Sequence, residues 1–197
     1  MVLACAMDAE CARVLASVAV DHRQVVGATC GAIQSALARA GLRAEVIPFG
    51  STVSGLAVED DCDVDVCLVC GPHAADMPLP PHQRMRATAQ RACDALVSVA
   101  GARQMVPILS ARVPILKFEL PGGAGAPIPR PVPVDLCFNN LNGCRNSELC
   151  RLLAALEPRF WPLAMLVKLW AKRRGLVDSS RGLFSSYAVV LLVVHFL

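Results

Sequence analysis

Apolar residues recur at helical spacing through residues 8–40 and stop at Gly41, which predicts two helices rich in Ala, Val and Leu. Residues 44–49 then read as a short strand that runs into the turn Gly50-Ser51. Residues 53–58 predict a short helix or loop, and 63–70 an apolar run suited to a buried strand. A loop rich in Pro and His over 71–82 leads to a helix over 84–100, closed by Gly101. Two strands follow near 104–109 and 112–119, and the Pro- and Gly-rich stretch 121–133 predicts a loop. A strand over 132–138 comes next, then helices near 146–156, 158–174 and 183–197. There is no internal repeat. Helices, then a strand-rich middle, then helices predict an α/β (α+β) catalytic unit with an all-helical companion built from both ends.

Three acids break the apolar strand pattern. Cys62-Asp63-Val64-Asp65-Val66 places two aspartates one residue apart, so in a strand their carboxylates point to the same side. Like charges held that close repel unless a cation neutralises them. Hard divalent ions prefer carboxylate oxygen and commonly share it with substrate phosphates. Just upstream, Val46-Ile47-Pro48-Phe49-Gly50-Ser51 ends in a turn offering close backbone approach, free N–H groups and a hydroxyl, as a phosphate requires. Together these point to a metal-dependent enzyme acting on a nucleoside triphosphate. In the strand 132–138, Val134, Leu136 and Phe138 face one way and Asp135 the other. Asp135 is either a third metal carboxylate or an acid that accepts backbone or Arg hydrogen bonds.

Composition narrows the setting. At 197 residues the chain is one full domain or somewhat more, and 55% apolar against 18% charged residues excludes disorder. A net charge of +3 is too small to indicate nucleic-acid binding by itself. Ten cysteines without a secretory signal suggest a reducing compartment, with the cytosol as the expectation. Cys67-x-x-Cys70 with His73 resembles a zinc half-site, but it lies in an apolar strand pattern and lacks a second pair; packed thiols are the better reading. The apolar run 187–197 is shorter than the about 20 residues a membrane span needs, so a buried helix and no membrane association are expected. That helix has no terminator, and the chain is expected to be truncated.

Helix 158–174 places Leu163, Leu166, Val167 and Trp170 on one face, with Lys168 and Lys172 as an i,i+4 pair on the opposite one. That face is either merely solvated or a grip on β- and γ-phosphates. Ser185-Ser186-Tyr187 opens the last helix, where hydroxyls suit capping or phosphate binding and the ring suits base stacking or the core.

The set Gly50-Ser51, Asp63-x-Asp65 and Asp135 resembles the signature of the polymerase-β-type nucleotidyltransferase superfamily. The strings DLCFNNLNGCRNSELCRLL, PLAMLVKLWAKRRGLVD and GLFSSYAVVLLVVHFL are similar to those of the non-template RNA terminal nucleotidyltransferases, the terminal uridylyltransferases and cytoplasmic poly(A) polymerases, over roughly residues 44–197. The resemblance implies a nucleotidyltransferase fold, a mixed sheet flanked by helices, over 44–140. Residues 1–43 and 141–197 would then supply parts of a poly(A)-polymerase-associated helical domain. It implies that Asp63, Asp65 and Asp135 bind two Mg²⁺ or Mn²⁺ ions. Phe49, Gly50 and Ser51 would hold the triphosphate; Gly143, Asn146 and Ser147 would contact ribose and base. Lys168 and Lys172 would grip phosphates, Ser186 would touch a phosphate, and Tyr187 would stack on the base. Cys62 stands where serine is common, and Ser147 where threonine is usual.

On this resemblance Asp63 and Asp65 hold both ions and Asp135 holds the one that binds the primer's 3′-hydroxyl, whose proton it can accept. The other ion, with Ser51 and the lysines, orients UTP or ATP and offsets charge on leaving pyrophosphate. One nucleotide joins a single-stranded RNA 3′ end without a template, with UMP slightly favoured over AMP as the donor. Arg84, Arg112, Arg145 and Arg173 are candidate RNA-phosphate contacts. A glycosyltransferase using Asp-x-Asp, a nucleotidyltransferase of small molecules or proteins, and an inactive fragment remain as alternatives.

Overall fold

The computed structural model describes residues 2–58, 63–70 and 81–197. Cys62 and His73, singled out above, lie outside these residues. The elements in chain order are α1 (Val2–Val18), α2 (Arg23–Arg39), β1 (Ala44–Phe49), α3 (Ser51–Ser54), β2 (Val64–Cys70), α4 (Pro81–Ala100), β3 (Arg103–Ile108), β4 (Ile115–Leu120), β5 (Val132–Phe138), α5 (Leu141–Leu156), α6 (Phe160–Arg173) and α7 (Ser186–Phe196). Several of these boundaries differ from those the pattern suggested, those of α4 and α5 among them. α4 begins at Pro81, because proline suits the first turn of a helix, where its missing N–H is not needed. α5 begins at Leu141, ahead of the expected 146, because Asn140 caps it: Asn140 Oδ1 accepts the Gly143 amide at 3.2 Å.

The chain divides into two units. The sheet unit comprises His22–Val53 and Asp63–Ser147; the helical unit comprises Met1–Asp21, Ser54–Cys62 and Glu148–Leu197. The first 43 residues were expected to belong wholly to the helical part. Instead α2 joins the sheet unit, because its Val26, Ile33 and Leu37 are buried in the sheet's core.

The five strands form one mixed sheet in the order β1-β2-β5-β4-β3. β1 is antiparallel to β2, β2 is parallel to β5, and β4 runs antiparallel to both β5 and β3. The core follows from strand alternation. Val64, Val66 and Leu68 of β2, Leu116, Phe118 and Leu120 of β4, and Val132, Val134 and Leu136 of β5 are buried with Ala92 and Leu96 of α4. The intervening residues Asp65, Lys117 and Asp135 therefore emerge on the opposite face, which is how an apolar sheet comes to display charge on one side only.

In the helical unit, Leu56 and Val58 pack with Phe160, Ala164, Met165, Val190 and Val193. α6 departs from the expected face. Trp170 is 56% exposed, whereas Lys168 is 6% exposed. The Lys168 stem packs as an apolar chain while its ammonium donates to the Leu56 carbonyl inside the unit. No helix among the described residues is long and apolar enough to cross a membrane.

Candidate active site

Parallel pairing of β2 with β5 sets Asp65 and Asp135 directly opposite each other as Cα partners. Both are half-buried and both leave the sheet on the same face. Asp63 precedes β2, is exposed, and is offset from Asp65 by the two-residue period of extended chain.

The turn after β1 is built around the Asp65 carboxyl. Gly50 has φ +80°, a conformation that costs other residues free energy. A Cβ at Gly50 would lie 1.9 Å from Asp65 Oδ2, so the absent side chain lets the carboxyl rest against the turn. The Gly50 amide donates to Ser147 Oγ at 2.7 Å, and Ser147 Oγ donates to the Gly143 carbonyl at 3.1 Å. Phe49, the Cα partner of Asp65, lays its ring edge on Gly143; a Cβ there would come within 2.8 Å of Phe49 Cε2. Ser51 opens α3, and Asn146 is half-buried on α5. The sheet unit thus brings together Phe49, Gly50, Asp65, Asp135, Gly143 and Ser147.

Ser147, 7% exposed, uses its hydroxyl to tie the turn to α5. Ser147→Ala is expected to lower stability by about 1–3 kcal/mol, the cost of stranding the half-buried Gly50 amide. A shift of the urea midpoint measures it; Ser147→Thr, which keeps the hydroxyl, should restore the midpoint, and an unmoved Ala midpoint would contradict the bond's role.

A third strand also contributes. Lys117 on β4 is the Cα partner of Asp135, and its ammonium donates to Asp135 Oδ2 in an ion pair. Among the described residues, no three His, Cys, Asp or Glu side chains are grouped as ligands of an ion. The donor chemistry nonetheless suits a hard divalent cation, because two carboxylates share one face on adjacent strands beside a backbone cradle.

Next along the same face, Cys67 and Cys137 are also Cα partners. A hydrogen bond from Cys67 to Cys137 pushes the Cys67 thiol well up, with burial adding to it, and lowers that of Cys137. Cys144 of α5 joins them and is raised to about 11, chiefly by burial. Cys67 and Cys70 lie three apart on β2 and so point to opposite faces, which suits packing better than shared ligation of one ion. The cysteines Cys11, Cys30, Cys67, Cys70, Cys93, Cys137, Cys144 and Cys150 are free thiols.

The remaining predicted site residues belong to the helical unit. Lys168 donates to the Leu56 carbonyl, and Lys172 is exposed near the end of α6. Ser185 is the N-cap of α7, accepting the Ala188 amide at 3.1 Å, and Ser186 beside it is exposed. Tyr187 is half-buried against the helical core.

A family model described as "Poly(A) RNA polymerase, mitochondrial-like, central palm domain" matches residues 16–155. The chain belongs to this family. As a palm-domain member it is 34% identical to the poly(A) RNA polymerase GLD2 of Xenopus tropicalis over 148 residues, which is 75% of this chain and 26% of that protein. It is 32% identical over 154 residues to the poly(A) RNA polymerase cid11 of Schizosaccharomyces pombe, covering 78% of this chain and 28% of cid11. In solved structures, the Cid1 poly(U) polymerase superposes with a TM-score of 0.73 at 26% identity, over 95% of this chain and 54% of that one. The chain therefore spans about a quarter of those sequence relatives and about half of Cid1, and the nucleotidyltransferase fold implied by the sequence is the fold it has.

Two residues of this palm escaped the sequence reading. Lys117 was the only base inside an alternating strand, Ile115–Leu120, whose buried residues fix which way it points. Asn140 followed a strand and preceded a helix, the position where Asn caps.

Proposed function

We propose that this chain carries the catalytic palm of a template-independent RNA 3′-terminal nucleotidyltransferase, joining UMP or AMP from a nucleoside triphosphate to an RNA 3′ end with release of pyrophosphate. The observation that supports it most is the pairing of Asp65 with Asp135 across β2 and β5, beside a glycine turn moulded to the Asp65 carboxyl. Asp63 and Asp65 would hold two Mg²⁺ or Mn²⁺ ions, and Asp135 would complete the site next to the primer's hydroxyl. When bound, the ions supply positive charge that acidifies the 3′-hydroxyl and stabilises the transferring phosphoryl group. Asp135 accepts the hydroxyl proton, and the Gly50-Ser51 turn orients the triphosphate by the amide and hydroxyl of Ser51. Lys172, Ser186 and Tyr187 are nucleotide contacts on the family pattern, with Lys168 as a further one.

The names of the relatives support both donors: GLD2 and cid11 are poly(A) RNA polymerases, while Cid1 is a poly(U) polymerase with structures bound to MgATP, to the UTP analogue UMPNPP and to the short product ApU. Free thiols among the described cysteines accord with a reducing cytosol. The test offers each of the four labelled triphosphates to the chain with a single-stranded RNA primer and Mg²⁺ or Mn²⁺. Metal-dependent extension with UMP or AMP is expected. No extension with any triphosphate, or extension only along a template, overturns the proposal.

A further inference from the structure

The ion pair between Lys117 and Asp135 has no place in the reaction as described above, and it stands where a cation would have to bind. β4 runs antiparallel to β5 with Lys117 and Asp135 in register, and Leu116, Phe118 and Leu120 anchor β4 in the core. The backbone therefore fixes Lys117 over the third carboxylate, on the face that also carries Asp65. The Lys117 and Asp135 side chains are 45% and 22% exposed, so solvent screens the pair and it contributes little to folding. What it does instead is local. One ammonium occupies one of the two Asp135 oxygens, on the face that also carries Asp65.

We propose that Lys117 is a resident counter-ion of Asp135 which a divalent cation must displace, and that it thereby sets the metal affinity of the third carboxylate. Lys117 is on this view a positioning residue that acts through Asp135. The inference rests on the reading of Asp65 and Asp135 as metal ligands. It implies unequal loading: an ion at Asp63 and Asp65 binds without breaking this pair, whereas an ion on Asp135 competes with an ammonium tethered by strand register.

Direct binding of Mn²⁺ to the full chain, read from the electron paramagnetic resonance signal of free Mn²⁺ without nucleotide or RNA, tests it. Lys117→Met and Lys117→Gln, which remove the charge, should bind Mn²⁺ roughly threefold to tenfold more tightly, as expected when a partly screened unit charge is deleted near the ion. Lys117→Arg keeps the charge and should stay within about twofold of the parent, whereas a role in packing alone would not group Arg with Lys against Met and Gln. Thermal melts establish that the variants compared are folded. Unchanged or weaker binding in both neutral variants overturns the proposal. Asp135→Asn separates the two readings. If it weakens Mn²⁺ binding while Lys117→Met and Lys117→Gln leave it unchanged, only the lysine inference fails. If Asp135→Asn leaves Mn²⁺ binding intact, the metal-ligand reading fails as well.

Discussion

Replacing Asp65 with Asn is expected to cut nucleotide incorporation by roughly a thousandfold or more, the scale on which loss of a main electrostatic contact to the transition state is felt. The substitution keeps the side chain's size, so the contact with Gly50 and the β2–β5 register should survive. What is lost is the negative charge that, with Asp135 opposite, makes this face attractive to a divalent cation. Single-turnover incorporation at saturating triphosphate reads the effect on chemistry, and an unchanged far-UV circular dichroism spectrum shows that the fold is intact. Retained Mg²⁺-dependent incorporation in Asp65→Asn would remove Asp65 from the reaction.

Gly50→Ala is expected to damage both stability and activity. Alanine at φ +80° incurs the left-handed backbone cost of about 1–2 kcal/mol. Its Cβ would also meet Asp65 Oδ2 at 1.9 Å and Cγ at 2.7 Å, so the carboxyl must move off the turn. A further 1–2 kcal/mol, roughly, is expected from that displacement, and incorporation should fall with it, because the displaced group is the one proposed to hold metal. Gly55→Ala separates the two contributions. Gly55 has φ +74°, but its nearest neighbour to an added Cβ is Trp161 Nε1 at an ordinary 3.8 Å. It should show the backbone cost alone and leave incorporation near the parent value. Thermal midpoints of the two variants give the comparison; a Gly50→Ala midpoint equal to that of Gly55→Ala would deny the close approach of Asp65.

Several elements were legible because their signals are local. β5 spans the residues that strand alternation indicates, since Val132, Val134 and Leu136 are buried and Asp135 is not. The α6 face was misjudged for an equally physical reason. Helical periodicity assigns charge to the solvent side, but a lysine stem is apolar and its ammonium can reach an internal acceptor, here the Leu56 carbonyl. Trp170 then takes an exposed position that hydrophobicity alone would not give it. The bond from the Gly50 amide to the Ser147 hydroxyl, 97 residues away in the chain, has no local signal and could not be read from the sequence.

From residue order alone came the strands, the turn and the three acids, because each depends on neighbours within a few positions and on the period of two. Tertiary structure alone decided which strands lie side by side. Bringing β5 next to β2, and β4 next to β5, sets Asp65 opposite Asp135 and Lys117 opposite Asp135. Those pairings join residues far apart in the chain, and they depend on register, which is set by burying one whole face of the sheet rather than by any short run of residues.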